Sequence, residues 1–220
     1  MIIIFDLDGT LINTIDDLGQ ACNHALAACG LPTHKIEDYP RLVGNGINKL
    51  IERALPEELR NEETVMRVRE YFVPFYDKHN CDLTRPYEGI LELLHALKTE
   101  GHQLAVASNK YQAATEKIVA QLFPNTFDVV LGERENVARK PDPQIVQDIT
   151  SSLSPLSSSL PPILYIGDSL VDANTARAAA CTLVLCTWGF EKEEQLSAFR
   201  PDYLINHPKE VLEIIHSFEK

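Results

Sequence analysis

Asp6 and Asp8 follow directly on four bulky apolar residues, Ile2 to Phe5, and are followed in turn by the turn pair Gly9-Thr10. An unbroken apolar run of this length suits a strand buried on both faces of a parallel sheet. Two carboxylates two residues apart at the end of such a strand repel, and one pKa rises unless a cation, often a metal ion, neutralises them. The carboxyl ends of strands in an open α/β sheet are also where ligands usually bind. Asp-x-Asp-Gly alone is a common turn and also opens calcium loops. The calcium reading fails here, because Thr10 stands at the next ligand position and Asp17, not Glu, at the twelfth. Three later stretches carry further chemistry-bearing side chains: Ser108 directly after the LAVA run, Lys140 in KPDP, and Asp168 and Asp172 in GDSLVD after the ILYI run. Singly, Ser108 reads as a cap or turn residue, Lys140 as a solvated lysine and Asp168 as a helix N-cap.

The elements that must carry these residues follow from periodicity. Ile15, Leu18, Cys22, Ala25, Leu26 and Cys29 fall on one helical face, with Asn13 or Thr14 as N-cap and Gly30 as terminator. A polar link leads to Arg41-Leu-Val-Gly-Asn-Gly46, and helical patterns resume through Leu50 to Leu55 and over 62–76. The stretch 14–80 thus reads as all helix. From Glu88 onward helices and strands alternate, with strands expected at 102–107, 127–131, 163–166, 183–186 and 203–205. This predicts an α/β chain: a doubly wound parallel sheet, Rossmann-like, formed by residues 1–13 and 82–220, with an inserted all-helical cap domain at 14–81. An insert tethered at two crossings is built to move over the strand ends as a lid. The serine-rich segment around Ser151 to Pro162 reads as an exposed linker.

Composition narrows the function. The formal net charge of -12 argues against nucleic acid or an anionic membrane as partner. No stretch approaches the ~18 apolar residues of a membrane span. The N-terminal apolar run lacks a basic flank and is broken by Asp6 and Asp8, so no signal peptide is expected. Five cysteines, odd in number and without a C-x-x-C pair, suit thiols in a reducing cytoplasm. His24, His79 and His95 lack metal-like spacing and read as structural. Oligomeric state has no signal.

Taken in order, FDLDGTL, SNK, KPDP and GDSLVD resemble the four signature motifs of the haloacid dehalogenase superfamily of phosphotransferases. The resemblance covers nearly the whole chain. It implies that Asp6 is the nucleophile and Asp8 the general acid/base. It also implies that Ser108, Asn109 and Lys140 bind phosphate, and that Mg²⁺ is held by Asp6, Asp168 and the Asp8 backbone carbonyl. Asp172 is implied as a supporting acid. The expected reaction is hydrolysis of a small phosphorylated metabolite through an aspartyl-phosphate. Dehalogenases of the superfamily lack an acid at the position of Asp8, because halide leaves without a proton. The chain therefore sorts with the phosphotransferases.

Within the superfamily, RLVGNGINKLIERAL (residues 41–55) looks like the cap segment of phosphoglycolate phosphatases, as do INTIDDL and SNK. This favours 2-phosphoglycolate, with Arg41, Gly44, Asn45 and Gly46 as cap residues facing substrate. Two glycines around Asn45 permit positive φ or a close backbone approach. A pyrophosphatase, a sugar-phosphate phosphatase and a β-phosphoglucomutase-like enzyme are alternatives of the same class. A phosphate-ligand binding protein without turnover is the alternative of another class. The serine-rich segment is longer than the subfamily pattern would suggest.

Overall fold

The structure, a computed structural model, describes residues 1–154 and 161–218. It divides into two compact units, Met1–Ile12 with Pro86–Lys220, and Asn13–Arg85.

The first unit is built on six parallel strands, β1 Ile2–Phe5, β2 Gln103–Tyr111, β3 Val129–Glu133, β4 Ile163–Gly167, β5 Thr182–Cys186 and β6 Tyr203–Ile205, in the spatial order β3-β2-β1-β4-β5-β6. All four residues of β1 are buried, as a strand needs when helices cover both faces of its sheet. Its register aligns Ile2–Phe5 with Gln103–Val106 on one side and Ile163–Ile166 on the other. From β1 the chain winds outward through β2 and β3, then returns to β4 and winds outward the other way. The order therefore reverses between β1 and β4, at the crevice where doubly wound sheets bind ligands. The expected sheet is the observed one, apart from two strand ends. β2 runs on through Ser108 to Tyr111, with a register shift after Ala107. Such a bulge re-aims side chains, and the apolar pattern, which stops at Ala107, could not reveal it. β3 lies two residues later than expected.

The second unit contains α1 Ile15–Ala28, α2 Ile47–Ala54 and α3 Glu62–His79, with α1 and α2 each packed on α3. Cys22, Ala25, Leu26, Ile51, Val68, Phe72 and Tyr76 fill its interior. Thr14 is the N-cap of α1, while the Asn13 side chain accepts from Ile15 N at 3.2 Å. The expected polar link contains a 3₁₀ turn, Ile36–Arg41, whose Tyr39 is fully buried and donates its hydroxyl to Asn23 Oδ1 at 2.8 Å.

Asp17, in the first turn of α1, is only 2 % exposed. It accepts from Leu83 N (3.0 Å), Thr84 N (2.8 Å) and Thr84 Oγ1 (2.7 Å), tying α1 to the segment after α3. Hydrogen bonds to a charged group are the stronger kind, and losing this one leaves buried donors unmet. Asp17→Ala is expected to cost roughly 2–3 kcal/mol in urea unfolding. A loss below about 0.5 kcal/mol, the size of a surface change, would mean the clasp carries no stability.

The core helices are α4 Ile90–Thr99, α5 Gln112–Leu122, α6 Gln144–Leu153, α7 Leu170–Ala178, α8 Glu193–Ala198 and α9 Glu210–Ser217. Ala173 and Ala176 of α7 and Ile145 and Ile149 of α6 share one apolar cluster with Ile2, Ile4 and Tyr165. Residues 151–153 of the expected serine-rich linker form the end of α6, and 155–160 lie outside the described residues. Among the described residues, no helix is long and apolar enough to cross a membrane.

Candidate active site

Asp6 leaves the end of β1, its N–H donating to Ile166 O at 2.9 Å and its own Oδ1 accepting from Leu7 N at 2.7 Å. Asp168 leaves the end of the neighbouring strand β4. Carboxylate oxygens of Asp6, Asp168 and Asp172 lie within 4.8 Å of one another. Gly9 makes the approach possible. Its φ is +87°, and a Cβ there would collide with the Asp168 carboxylate. Thr10 Oγ1 donates to Asp168 Oδ1 at 3.1 Å and Phe190 N to Asp168 Oδ2 at 2.8 Å. Ser169, not Asp168, caps α7.

Lys140 enters this cluster as its buried cation. Its Nζ donates to Ala107 O at 2.8 Å and Asp172 Oδ1 at 2.8 Å, and lies 2.9 Å from Asp6 Oδ1. Three acceptors match the three protons of an ammonium. Burial alone would push this amine towards the neutral form, but the carboxylates of Asp172 and Asp6 outweigh it, and the ammonium is held well above its ordinary pKa. Asn109 holds the lysine's backbone from both sides, its Nδ2 donating to Lys140 O (3.1 Å) and its Oδ1 accepting from Lys140 N (3.0 Å). Asn109, expected among the phosphate-binding groups, uses its amide oxygen and one of its two amide protons on the backbone of Lys140.

Asp172 is fully buried and accepts from Lys140, from Tyr165 OH at 3.2 Å, from Ser169 Oγ at 2.6 Å and from Asp168 N at 3.3 Å. Its two oxygens accept four hydrogen bonds, against two for Asp168, which leaves Asp6 and Asp168 as the carboxylates with more room for a ligand. Ser108, buried on the bulged end of β2, accepts from Lys110 N at 3.1 Å and keeps its own hydroxyl proton to donate. Arg41 lies in the other unit, exposed and paired with Asp38. There Gly44, Asn45 and Gly46 all have positive φ.

Sequence reasoning assigned no role to Lys110. Its side chain is buried, with Nζ 3.1 Å from Asp8 Oδ1. That oxygen, also buried, accepts no aligned hydrogen bond. The available signal was the two-residue spacing from Ser108, which puts both side chains on one side of an extended chain. Trp188, whose Nε1 donates to Thr10 O at 3.0 Å, and the Phe190 N–H come from the loop after β5, where the sequence offered only its place after a strand.

The electrostatics of this pocket ask for a further cation. Four acids, Asp6, Asp8, Asp168 and Asp172, face two lysines, an excess of two negative charges if all ionise. Burial first, then the Asp172 charge, pushes Asp6 up to about 7 against the pull of Lys140. Burial, Asp172 and Asp6 likewise push Asp168 well above the usual carboxylate range. An all-oxygen donor set with this excess fits a hard divalent cation.

The matching family profile is that of the haloacid dehalogenase-like hydrolases, over residues 3–186. The chain is 32 % identical to the phosphoglycolate phosphatase of Mesorhizobium japonicum, an alignment covering 94 % of this chain and 90 % of that one. It is 32 % identical to the phosphoglycolate phosphatase of Mannheimia succiniciproducens, with 96 % of each covered. A crystal structure from Lactobacillus delbrueckii subsp. bulgaricus, of a protein provisionally named a phosphoglycolate phosphatase, superposes with a TM-score of 0.89 at 31 % identity, covering 97 % of both chains. With the acids and the lysine gathered at the switch point of such a sheet, and with these relatives, the chain belongs to the haloacid dehalogenase-like hydrolase family.

Proposed function

We propose that this family member is a magnesium-dependent phosphatase that hydrolyses a small phosphomonoester through an aspartyl-phosphate on Asp6, with 2-phosphoglycolate as the preferred substrate. The observation that carries the reading is the meeting of Asp6, Asp168 and Lys140 at the ends of adjacent strands, with Lys140 Nζ 2.9 Å from Asp6. The relatives named above support the choice of substrate.

In this mechanism a carboxylate oxygen of Asp6 attacks phosphorus, the bond from phosphorus to the ester oxygen breaks, and Asp8 gives its proton to the departing alkoxide. Water then attacks phosphorus, Asp8 takes its proton, and orthophosphate leaves with Asp6 restored. Lys140 and the Ser108 hydroxyl hold the phosphoryl oxygens on which charge accumulates. Lys110 keeps the Asp8 carboxyl in place between the two steps. Asp6, Asp168 and the Asp8 carbonyl would hold the cation. When bound, it offsets the repulsion between an anionic nucleophile and an anionic substrate. Cys22, Cys29, Cys181 and Cys186 are thiols, which suits a reducing cytoplasm.

A panel of phosphorylated metabolites plus p-nitrophenyl phosphate, with Mg²⁺ and with EDTA, tests the reading. Turnover should vanish in EDTA and return with Mg²⁺, and kcat/KM for 2-phosphoglycolate should lead the panel by at least about tenfold. If a sugar phosphate or pyrophosphate leads, the substrate is wrong and the phosphatase stands. Isomerisation of a sugar phosphate would make the protein a mutase, and no turnover of any phosphate would make it a binding protein.

A further inference from the structure

Asp168 sits between two glycines. A Cβ on Gly9, in the turn after β1, or on Gly189, in the loop after β5, would run into its side chain, so backbone closes on the carboxylate from two sides. A closed ring of hydrogen bonds ties these two flanks together. Trp188 Nε1 donates to Thr10 O at 3.0 Å, Thr10 Oγ1 to Asp168 Oδ1 at 3.1 Å, and Phe190 N to Asp168 Oδ2 at 2.8 Å. Phe190 lies two residues after Trp188, which completes the ring.

The loop that supplies the first and last of these donors is itself held at both ends. Thr187 donates its N–H to Ile205 O at 3.0 Å and its Oγ1 to Asn206 Oδ1 at 2.8 Å, fixing the start of the loop beside β6. Glu191 Oε1 accepts from Leu170 N at 3.2 Å, fixing its end to the first turn of α7. The terminal torsion of an aspartate is soft, and the carboxylates of Asp6 and Asp172 within 4.8 Å repel it. One donor on each oxygen stops the group from swinging away. A carboxylate has about four acceptor positions, so both oxygens keep room for a ligand. A cation that meets a carboxylate already held in place does not bear the cost of ordering it.

We propose that the loop Trp188-Gly189-Phe190 is a positioning element for the divalent cation, with Trp188 acting on Asp168 through Thr10. The proposal rests on the reading that Asp168 holds that cation. Phe190 N and the bare backbone of Gly189 meet Asp168 directly, whereas the indole holds the turn from which the Thr10 hydroxyl reaches it.

The test is a calorimetric titration of the metal-free protein with MgCl₂, without substrate. In Trp188→Phe, which keeps an aromatic ring and removes the N–H, Kd should rise by at least about tenfold, the lower end of what loss of a ligand's supporting partner costs. Thr10→Val, which removes the hydroxyl and keeps the branched shape, should do the same. The double variant should lose no more than the worse single one, because both act along one route to Asp168. Gly189→Ala intrudes on the carboxylate from the other flank and should weaken binding at least as much. An unchanged Kd in either Trp188→Phe or Gly189→Ala would overturn the proposal. Losses that multiply in the double variant would overturn the route through Thr10. A parent protein that takes up no Mg²⁺ would overturn the cation reading itself, and the proposal with it.

Discussion

Asp6→Asn is expected to lower kcat by at least about 10⁴-fold, as loss of a covalent nucleophile does elsewhere. The substitution preserves the shape of the side chain, so substrate and cation pockets stay close to their original form. What disappears is the oxygen nucleophile, since an amide cannot form the acyl phosphate. Stability should move the other way. Asp6 is a buried carboxyl held up to about 7 by burial and by Asp172, so ionising it in the metal-free protein works against the fold. The thermal midpoint of the metal-free variant should therefore equal or exceed that of the parent. Residual turnover above roughly a hundredth of the parent rate would mean that Asp6 is not attacking phosphorus, because acid–base assistance alone accounts for about 10²- to 10⁴-fold.

Lys140→Met should damage both stability and activity. Methionine keeps much of the side chain's volume but offers no donor to Ala107 O, Asp172 or Asp6. Breaking a buried ion pair from one side typically costs about 3–5 kcal/mol, because the surviving charges lose their partner. The sign with pH follows from the carboxyls. Without the ammonium, Asp6 rises further above its ordinary value. A carboxyl raised in the folded state penalises folding above that raised pKa and is relieved as it takes up a proton. The part of the variant's deficit in urea unfolding that Asp6 causes, measured in EDTA, should grow as pH rises above about 7, where Asp6 ionises in the parent but resists ionisation in the variant, and should vanish as pH falls below 7. Activity should drop by about 10²–10³-fold, the usual cost of removing a group that stabilises transition-state charge. Full stability at pH 8 together with turnover near the parent rate would place Lys140 outside the site.

Much of this was legible because the chain declares where its strands stop. The run from Ile2 to Phe5 ends at a pair of acids, and the ILYI run ends at Gly167-Asp168. Buried parallel strands leave that pattern whatever lies beside them. Which strand ends meet is a matter of topology. Asp6 and Asp168 are 162 positions apart and come together only because β4 pairs directly with β1. Short-range features that depend on distant backbone left no trace. Asn109 clamps the backbone of Lys140, and Asp17 takes the amides of Leu83 and Thr84. Neither partner can be read from its own neighbourhood. The glycines at 44 and 46 advertised an unusual loop, whereas nothing near Arg53 in the sequence showed that its guanidinium donates to the carbonyls of Leu42, Val43 and Gly44.

The covalent step itself can be caught. During steady turnover with Mg²⁺, rapid quenching followed by borohydride should reduce an acyl phosphate to the alcohol and expel its phosphate, and peptide mass spectrometry then locates the altered residue. Homoserine at position 6, present with substrate and absent without it, is the expected outcome. The same product at a different acid, or none at any position while substrate is consumed, would contradict the assignment of Asp6 as the group that carries the phosphoryl.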